Sequence, residues 1–214
     1  MSTFCGIIHK MRIQYRHPKL YEFLVHKLLY PKGLWEKFKL EVGEYNTVFD
    51  VGAGYGYASR FVHPTSSYRG IDLNEAFVQH GQRSGIDLKM GDIFDPFVYK
   101  ESDVFVAIDI IHHIAPKSLR SLFDLIFAHA KKKVIVIDPA FVSIARRYGI
   151  AGKLFGWIFS MLDDDGFQKI PRWMSEKEYA NLFEIQFGSR HGKEFRTSKA
   201  KVGGYHFVTY TKIL

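Results

Sequence analysis

Five short runs of apolar and β-branched residues punctuate the middle of the chain, at 47–51, 68–72, 86–90, 104–108 and 134–137. The fourth and fifth carry no polar position at all, the pattern of parallel strands covered on both faces. Helical stretches separate them. In the clearest, Leu119, Leu122, Phe123 and Ile126 fall at i, i+3, i+4 and i+7, one apolar stripe. Pro116 suits its first turn. The run Lys131-Lys132-Lys133 is expected to close this helix, as cations facing its negative end. Strands alternating with helices imply right-handed βαβ units, hence a mostly parallel, doubly wound α/β sheet.

Two regions stand outside that alternation. Residues 1–46 place Leu20, Phe23, Leu24 and Leu28 at helical spacing, then break at Pro31-Lys32-Gly33 before a second short helix. Residues 140–182 form a long connection after the fifth strand. It holds a mostly apolar helix at 150–162, the polar turn Asp163-Asp164-Asp165-Gly166, and a capping box in Ser175-Glu176-Lys177-Glu178. Residues 205–214 alternate like an antiparallel strand. The expected organisation is an N-terminal helical extension or lid at 1–46 and a main domain at 47–214. Residues 140–182 are a helical insertion capping that domain.

The length of 214 residues suits one domain with additions, and 47% apolar against 24% charged residues is ordinary globular composition. The single cysteine, Cys5, excludes an intrachain disulfide and a thiolate zinc site. The longest run without Asp, Glu, Lys or Arg is ten residues, while a membrane span needs about 20 apolar ones. Residues 1–10 lack a basic region followed by an apolar stretch, so no secretory signal is expected and the expected location is cytoplasmic. The formal charge of +8 sits at the ends. Residues 1–41 carry eight Lys/Arg against three Asp/Glu, residues 186–214 six against one, and the middle is net −2. No Lys/Arg run exceeds three residues, so a solvated surface is favoured over a nucleic-acid arm.

The candidate chemistry lies where the first strand stops. Asp50-Val51-Gly52-Ala53-Gly54-Tyr55-Gly56 turns sharply into what reads as a helix start. Such a turn brings unpaired backbone N–H groups close to a ligand. Asp72 follows 20 residues after Gly52, at the end of the second strand. A carboxylate there accepts from a ribose diol or caps the next helix. The dinucleotide fingerprint G-x-G-x-x-G/A fails, because its third small position is Tyr57. No Walker lysine is present, which excludes a phosphate-binding P-loop.

An acidic residue, a hydrophobic one and then G-x-G-x-G resembles the first motif of the class I S-adenosylmethionine-dependent methyltransferases, Rossmann-like enzymes. Gly70-Ile71-Asp72-Leu73-Asn74 resembles their second motif, Gly91-Asp92-Ile93-Phe94 their third, and Asp109-Ile110-Ile111-His112-His113-Ile114 their fourth-strand motif. The resemblance covers residues 45–140 clearly. It implies a seven-stranded-type sheet and S-adenosylmethionine as cofactor, with S-adenosylhomocysteine as product. It implies a cofactor site formed by Asp50, Gly52, Ala53, Gly54, Gly56, Asp72, Leu73, Asp92, Ile93 and Asp109. Asp72 would take the ribose, Asp92 the adenine amino group, and Ile93 the ring face. Asp92 also reads as a turn residue.

Methyl transfer needs a base only when the acceptor carries a proton near its working pKa. His112 and His113 follow the fourth strand, at the sheet edge where ligands bind in open α/β sheets, and are the candidate catalytic pair. Alternatively they shape the pocket wall. The Asp/Asn-Pro-Pro-aromatic motif of amino-base DNA methyltransferases is replaced by Asp109-Ile110-Ile111-His112. Cys5 lies outside the domain where a cytosine-C5 enzyme needs its nucleophile. Asp109 and Asp138 imitate two ligands of a catechol-type magnesium site, but the Asn is missing and Pro139 follows, so no metal is expected.

The expected activity is methyl transfer to O or N of a small hydrophobic acceptor. The alternatives are an RNA or protein acceptor held by the basic ends, and a non-catalytic cofactor-binding partner subunit. Nucleic acid is not an expected partner. The 150–162 helix reads as core and lid, with a peripheral membrane contact, aided by Arg146, Arg147 and Lys153, as the lesser alternative. Tyr15, Tyr21, Arg172 and Trp173 are pocket candidates by position. Acceptor identity and oligomeric state do not follow from the sequence.

Overall fold

The structure is a computed structural model. It describes residues 30, 31, 33–139, 178, 179, 181–183 and 192–213, together with Lys19 and Glu22. The expected helix through Leu20, Phe23, Leu24 and Leu28, the 150–162 helix, the 163–166 turn and most of the 175–178 capping box lie outside the described residues. So do Cys5, Tyr15, Tyr21, Arg146, Arg147, Lys153, Arg172 and Trp173. No helix among the described residues is long and apolar enough to cross a membrane.

Helix α1 spans Leu34–Val42 and leads into β1, Thr47–Val51. Then follow β2 (Ser67–Asp72), α2 (Glu75–Arg83), β3 (Asp87–Met90), β4 (Ser102–Ile108), α3 (Pro116–His129) and β5 (Ala130–Pro139). A hairpin of β6 (Phe195–Val202) and β7 (Tyr205–Lys212) completes the sheet. The strand order is β3-β2-β1-β4-β5-β7-β6. Strands β1 to β5 are mutually parallel, and β7 inserts antiparallel between β5 and β6. All five parallel strands therefore end on one edge of the sheet.

The continuous apolar runs are explained by two cores. Successive side chains of a strand point to opposite faces. Phe49, Phe105, Ala107, Val134 and Val136 join Leu119, Leu122, Phe123 and Ile126 of α3 on one face. Val48, Val104, Val106, Ile135 and Ile137 join Leu34, Phe38 and Val42 of α1 on the other. In the runs 104–108 and 134–137 each residue is claimed by one layer or the other, so no position there is left for a polar side chain.

Two sequence expectations change, and one strand had no sequence signal. The lysine run does not end α3; it lies inside β5, because pairing of Ala130 with Ser102 already extends the backbone there. Its cations meet acceptors on neighbouring segments. Lys131 Nζ is 3.1 Å from Glu101, Lys132 Nζ 3.1 Å from Asp103, and Lys133 Nζ donates to the Glu41 carbonyl at 2.8 Å. Second, the glycine turn opens no full α-helix but a five-residue 3₁₀ turn, Tyr57–Phe61. Val62, directly after it, is already extended at φ −80° and ψ 139°, and Pro64 disfavours a helical residue at 63, so the turn does not propagate. The strand without a signal is β6, which escapes the hydrophobic pattern altogether. Arg196, Ser198, Lys199 and Lys201 are exposed on this edge strand, and such lysines discourage edge-to-edge pairing.

Candidate functional site

The site is built where β1 to β5 end. After Val51 the chain passes through Gly52 at φ +71° and Gly54 at φ +57°, a region that side chains disfavour. Gly52 is doubly required: a Cβ there would lie 2.8 Å from the Ile110 side chain, which arrives from the end of β4. The turn is tied to β2 by Ala53 N–H donating to Ile71 O at 2.9 Å. Gly56, at φ +80°, caps the 3₁₀ turn.

Asp72 is held from both sides. Its Oδ2 accepts the Gly54 N–H at 2.7 Å and its Oδ1 accepts the Asn74 N–H at 2.7 Å. The capping role that Asp72 was eligible for belongs instead to Asn74, whose side chain accepts from Ala76 N and Phe77 N at the start of α2. A carboxylate has about four acceptor positions, so this anchoring fixes its orientation and remains compatible with a ribose diol. Half-buried Leu73 sits between the two.

Asp50 lies behind the turn and is almost fully buried, at 2% exposure. Tyr68 donates its hydroxyl to Oδ2 at 2.6 Å, while Oδ1 has no partner among the described residues. Burial pushes the Asp50 carboxyl up to about 7, against the opposing Tyr68 hydrogen bond and with help from the Asp72 charge. An orphaned buried acceptor beside an amide-lined turn suits a ligand that brings a donor or a positive charge.

The third motif hangs from the same edge. Gly91 N–H donates to the Asp72 carbonyl at 3.1 Å. Asp92 is exposed, and its Oδ1 accepts the Phe94 N–H at 2.9 Å in a local turn. Ile93 is half-buried against the α3 core. The turn role of Asp92 is therefore present, and its second oxygen faces no competitor in that turn.

At the end of β4, Asp109 adopts φ +54°, rare for a residue with a side chain. Its N–H donates to Ile137 O at 2.9 Å, and its carboxylate accepts the Tyr30 hydroxyl. Next, Ile111–His113 forms one 3₁₀ turn. His112 is buried with its Nδ1 2.9 Å from Asp138 Oδ1, at the end of β5. That oxygen also accepts the Ile111 N–H at 3.2 Å, and Asp138 Oδ2 accepts the Tyr179 hydroxyl. The partners assign the proton to Nδ1 and leave Nε2 as the basic nitrogen. Half-buried His113 sets its ring 4.1 Å from that of His112.

The structure thus gathers Asp50, Gly52, Ala53, Gly54, Gly56, Asp72 and Asp92 around the ends of β1 to β3. Asp109, His112 and His113 gather at β4. Asp109 and Asp138 are each engaged by a tyrosine, and no group of three His, Cys, Asp or Glu among the described residues could hold a metal ion. Sequence reasoning missed Tyr30, Tyr68 and Tyr179, and saw Asp138 only as a metal-ligand mimic. Partners separated by 79, 18 and 41 residues leave no local signal.

No family model matches the chain, and no curated protein matches it. Solved structures do. The complex of DhpI with S-adenosylhomocysteine is 13% identical, with a TM-score of 0.66, covering 97% of each chain. Human N-acetylserotonin methyltransferase in complex with S-adenosylmethionine is 18% identical with a TM-score of 0.62 over 94% of this chain, which spans only 55% of the human one. Magnesium protoporphyrin IX methyltransferase from Synechocystis is 12% identical, with a TM-score of 0.55, over 84% of this chain and 79% of its own. The strand order, the glycine turn and these likenesses agree: the chain has the fold of the class I S-adenosylmethionine-dependent methyltransferases.

Proposed function

We propose that this protein is an S-adenosylmethionine-dependent methyltransferase that methylates O or N of a small hydrophobic acceptor. The observation that carries the reading is Asp72, its two oxygens fixed by Gly54 N–H and Asn74 N–H beside the positive-φ glycine turn. A carboxylate so oriented is ready for a diol before any ligand arrives, which lowers the ordering cost of binding.

When bound, the cofactor would supply an electrophilic sulfonium methyl group, whose carbon bonds to the acceptor lone pair as the C–S electron pair leaves with the thioether product. This chain's residues do the rest. Asp72 takes the ribose, Asp92 the adenine amino group, and Ile93 the adenine face. The Gly52–Gly56 backbone lets the ligand approach. Asp50 offers its buried Oδ1 as an acceptor. His112 Nε2 takes the proton of a hydroxyl acceptor while Asp138 steadies the resulting imidazolium. The preference for a small acceptor is supported by the human and cyanobacterial relatives, named for N-acetylserotonin and magnesium protoporphyrin IX.

Calorimetric titration with S-adenosylmethionine, its demethylated product and NADH tests the reading. Micromolar binding of the first two without NADH is expected, followed by turnover in a screen of small hydroxyl and amine acceptors. Binding of NADH alone, or of nothing, overturns it. Cofactor binding without turnover on any acceptor would reassign the chain to a partner subunit.

A further inference from the structure

Tyr179 is a tyrosine with an unusual set of neighbours. It follows the 140–177 connection in sequence and is 2% exposed. Its hydroxyl donates to Asp138 Oδ2, the oxygen opposite the one that holds His112. Its ring stacks on His206 of β7, with centroids 4.4 Å apart and planes 25° apart, and on Phe183 at 5.5 Å. The ring is closed to solvent and packed on His206 and Phe183, which holds the hydroxyl oxygen beside Asp138. Burial, and then the Asp138 charge, hold the Tyr179 hydroxyl well above the ordinary tyrosine range, so it stays a donor at any working pH.

Resting on the methyltransferase reading above, we propose that Tyr179 is a positioning residue for His112. Its hydroxyl shares the Asp138 charge and locks the carboxylate plane, and through it the tautomer and basicity of His112. A carboxylate with donors on both oxygens cannot rotate to present a different atom to the imidazole. The Ile111 N–H on the shared Oδ1 completes the lock. Among the described residues, the titratable groups around His112 are Asp138 from β5, Tyr179 beyond it and His113 on its own turn. Asp109 at the end of β4 adds its charge to the field on Tyr179, and His206 on β7 stacks on the Tyr179 ring. Removing the Tyr179 hydroxyl leaves the Asp138 charge more fully on His112. The imidazolium gains, and the His112 pKa rises.

The test is Tyr179→Phe, read by NMR titration of the His112 ring in the full chain without cofactor or acceptor, with the resonance assigned by its loss in His112→Gln. The His112 titration is expected to move upward by on the order of half a pH unit or more, one hydrogen bond's share. An unmoved titration would mean that Tyr179 only packs, whatever happens to the melting temperature. In the unmodified protein, the Tyr179 hydroxyl proton should exchange slowly and show cross-peaks to the His206 ring. A rapidly exchanging hydroxyl overturns the proposal even if the variant does not fold. Because neither readout uses cofactor or turnover, an upward shift in a protein that binds no S-adenosylmethionine would sink the methyltransferase reading and leave the coupling standing. In the active enzyme, the acid limb of the kcat profile on a hydroxyl acceptor should move with the titration.

Discussion

Replacing Asp50 with Asn should make the protein more stable above neutral pH and poorer at binding cofactor. The Asp50 carboxyl is raised by burial from 3.8 to about 7. A group whose folded pKa is raised adds stability that is full below the unfolded value and is lost as pH rises through the folded one. Here the loss runs from about pH 4 to pH 7. Three units at about 1.4 kcal/mol each amount to about 4 kcal/mol of stability forgone at pH 8. Asn keeps an oxygen for the Tyr68 hydroxyl but puts an amide where Oδ1 has no partner among the described residues. That buried donor costs about 1–3 kcal/mol at every pH. The net expectation at pH 8 is a variant about 1–3 kcal/mol more stable.

The assay is urea denaturation of both proteins from pH 5 to pH 8 without ligand. The cost of the amide cancels in the difference, as does every titrating group not coupled to Asp50. The stability gap should swing by about 2–3 kcal/mol in favour of Asn between those limits. A gap flat to within about 0.5 kcal/mol would refute the reasoning, because it would mean that Asp50 titrates alike in the folded and unfolded chains. The binding counterpart follows from the same proton. A cationic ligand favours the ionised carboxylate, so S-adenosylmethionine affinity should weaken by up to about tenfold per pH unit below 7, with proton release visible as a buffer-dependent enthalpy.

Asp72→Ala should weaken S-adenosylmethionine binding by about 1.5–3 kcal/mol in calorimetry, through loss of a charged acceptor; unchanged affinity would remove Asp72 from the site. His112→Gln should lower kcat on a hydroxyl acceptor by about 10²–10⁴-fold. His113→Ala should leave most turnover, and the reverse ranking would exchange their roles. Gly81→Ala should destabilise by about 1–3 kcal/mol in a denaturant melt, because the new Cβ would meet Leu88 Cδ1 at 2.3 Å and Tyr55 O at 2.7 Å. A neutral effect would mean that α2 does not lie that close to β3.

What could be read in advance depended on how local the cause was. Strands β4 and β5 were the most legible because burial on both faces leaves an unbroken apolar run, as in Val104-Phe105-Val106-Ala107. The glycine turn was legible because positive φ and the approach of Ile110 exclude side chains at one fixed spacing. The end of α3 was misread because three lysines suit a helix terminus as well as they suit a strand flanked by Glu101, Asp103 and Glu41. Local sequence carries no record of those distant carboxylates. The short 3₁₀ turn after the glycines was in fact signalled by Pro64, and the loop length was the neglected clue. β6 was not read because its polar face is its function at a sheet edge. A hydrophobic pattern reports burial, and an edge strand with one wet face reports little.

The carboxylates of the site show why the rest was hidden. Asp50, Asp109 and Asp138 each sit at or near the end of a parallel strand, where burial raises the cost of a charge unless donors are supplied. Each is answered by a tyrosine hydroxyl: Tyr68 from the neighbouring strand, Tyr30 from before α1, and Tyr179 from beyond the 140–177 connection. Tyrosine suits this task, since its ring is buried as apolar surface while its hydroxyl donates at the far end. The two tyrosines from outside the parallel core meet the carboxylates of adjacent strands, β4 and β5. Local amides answer these carboxylates only in part: Asp109 N–H goes to Ile137 O, while Ile111 N–H reaches one oxygen of Asp138 and the tyrosine takes the other. The segments that a sequence reading sets apart as additions are thus chemically part of the site. Asp50 keeps its Oδ1 without a partner among the described residues, and the first glycine of the turn, Gly52, follows it by two residues. That oxygen lies where a ligand is expected to answer it.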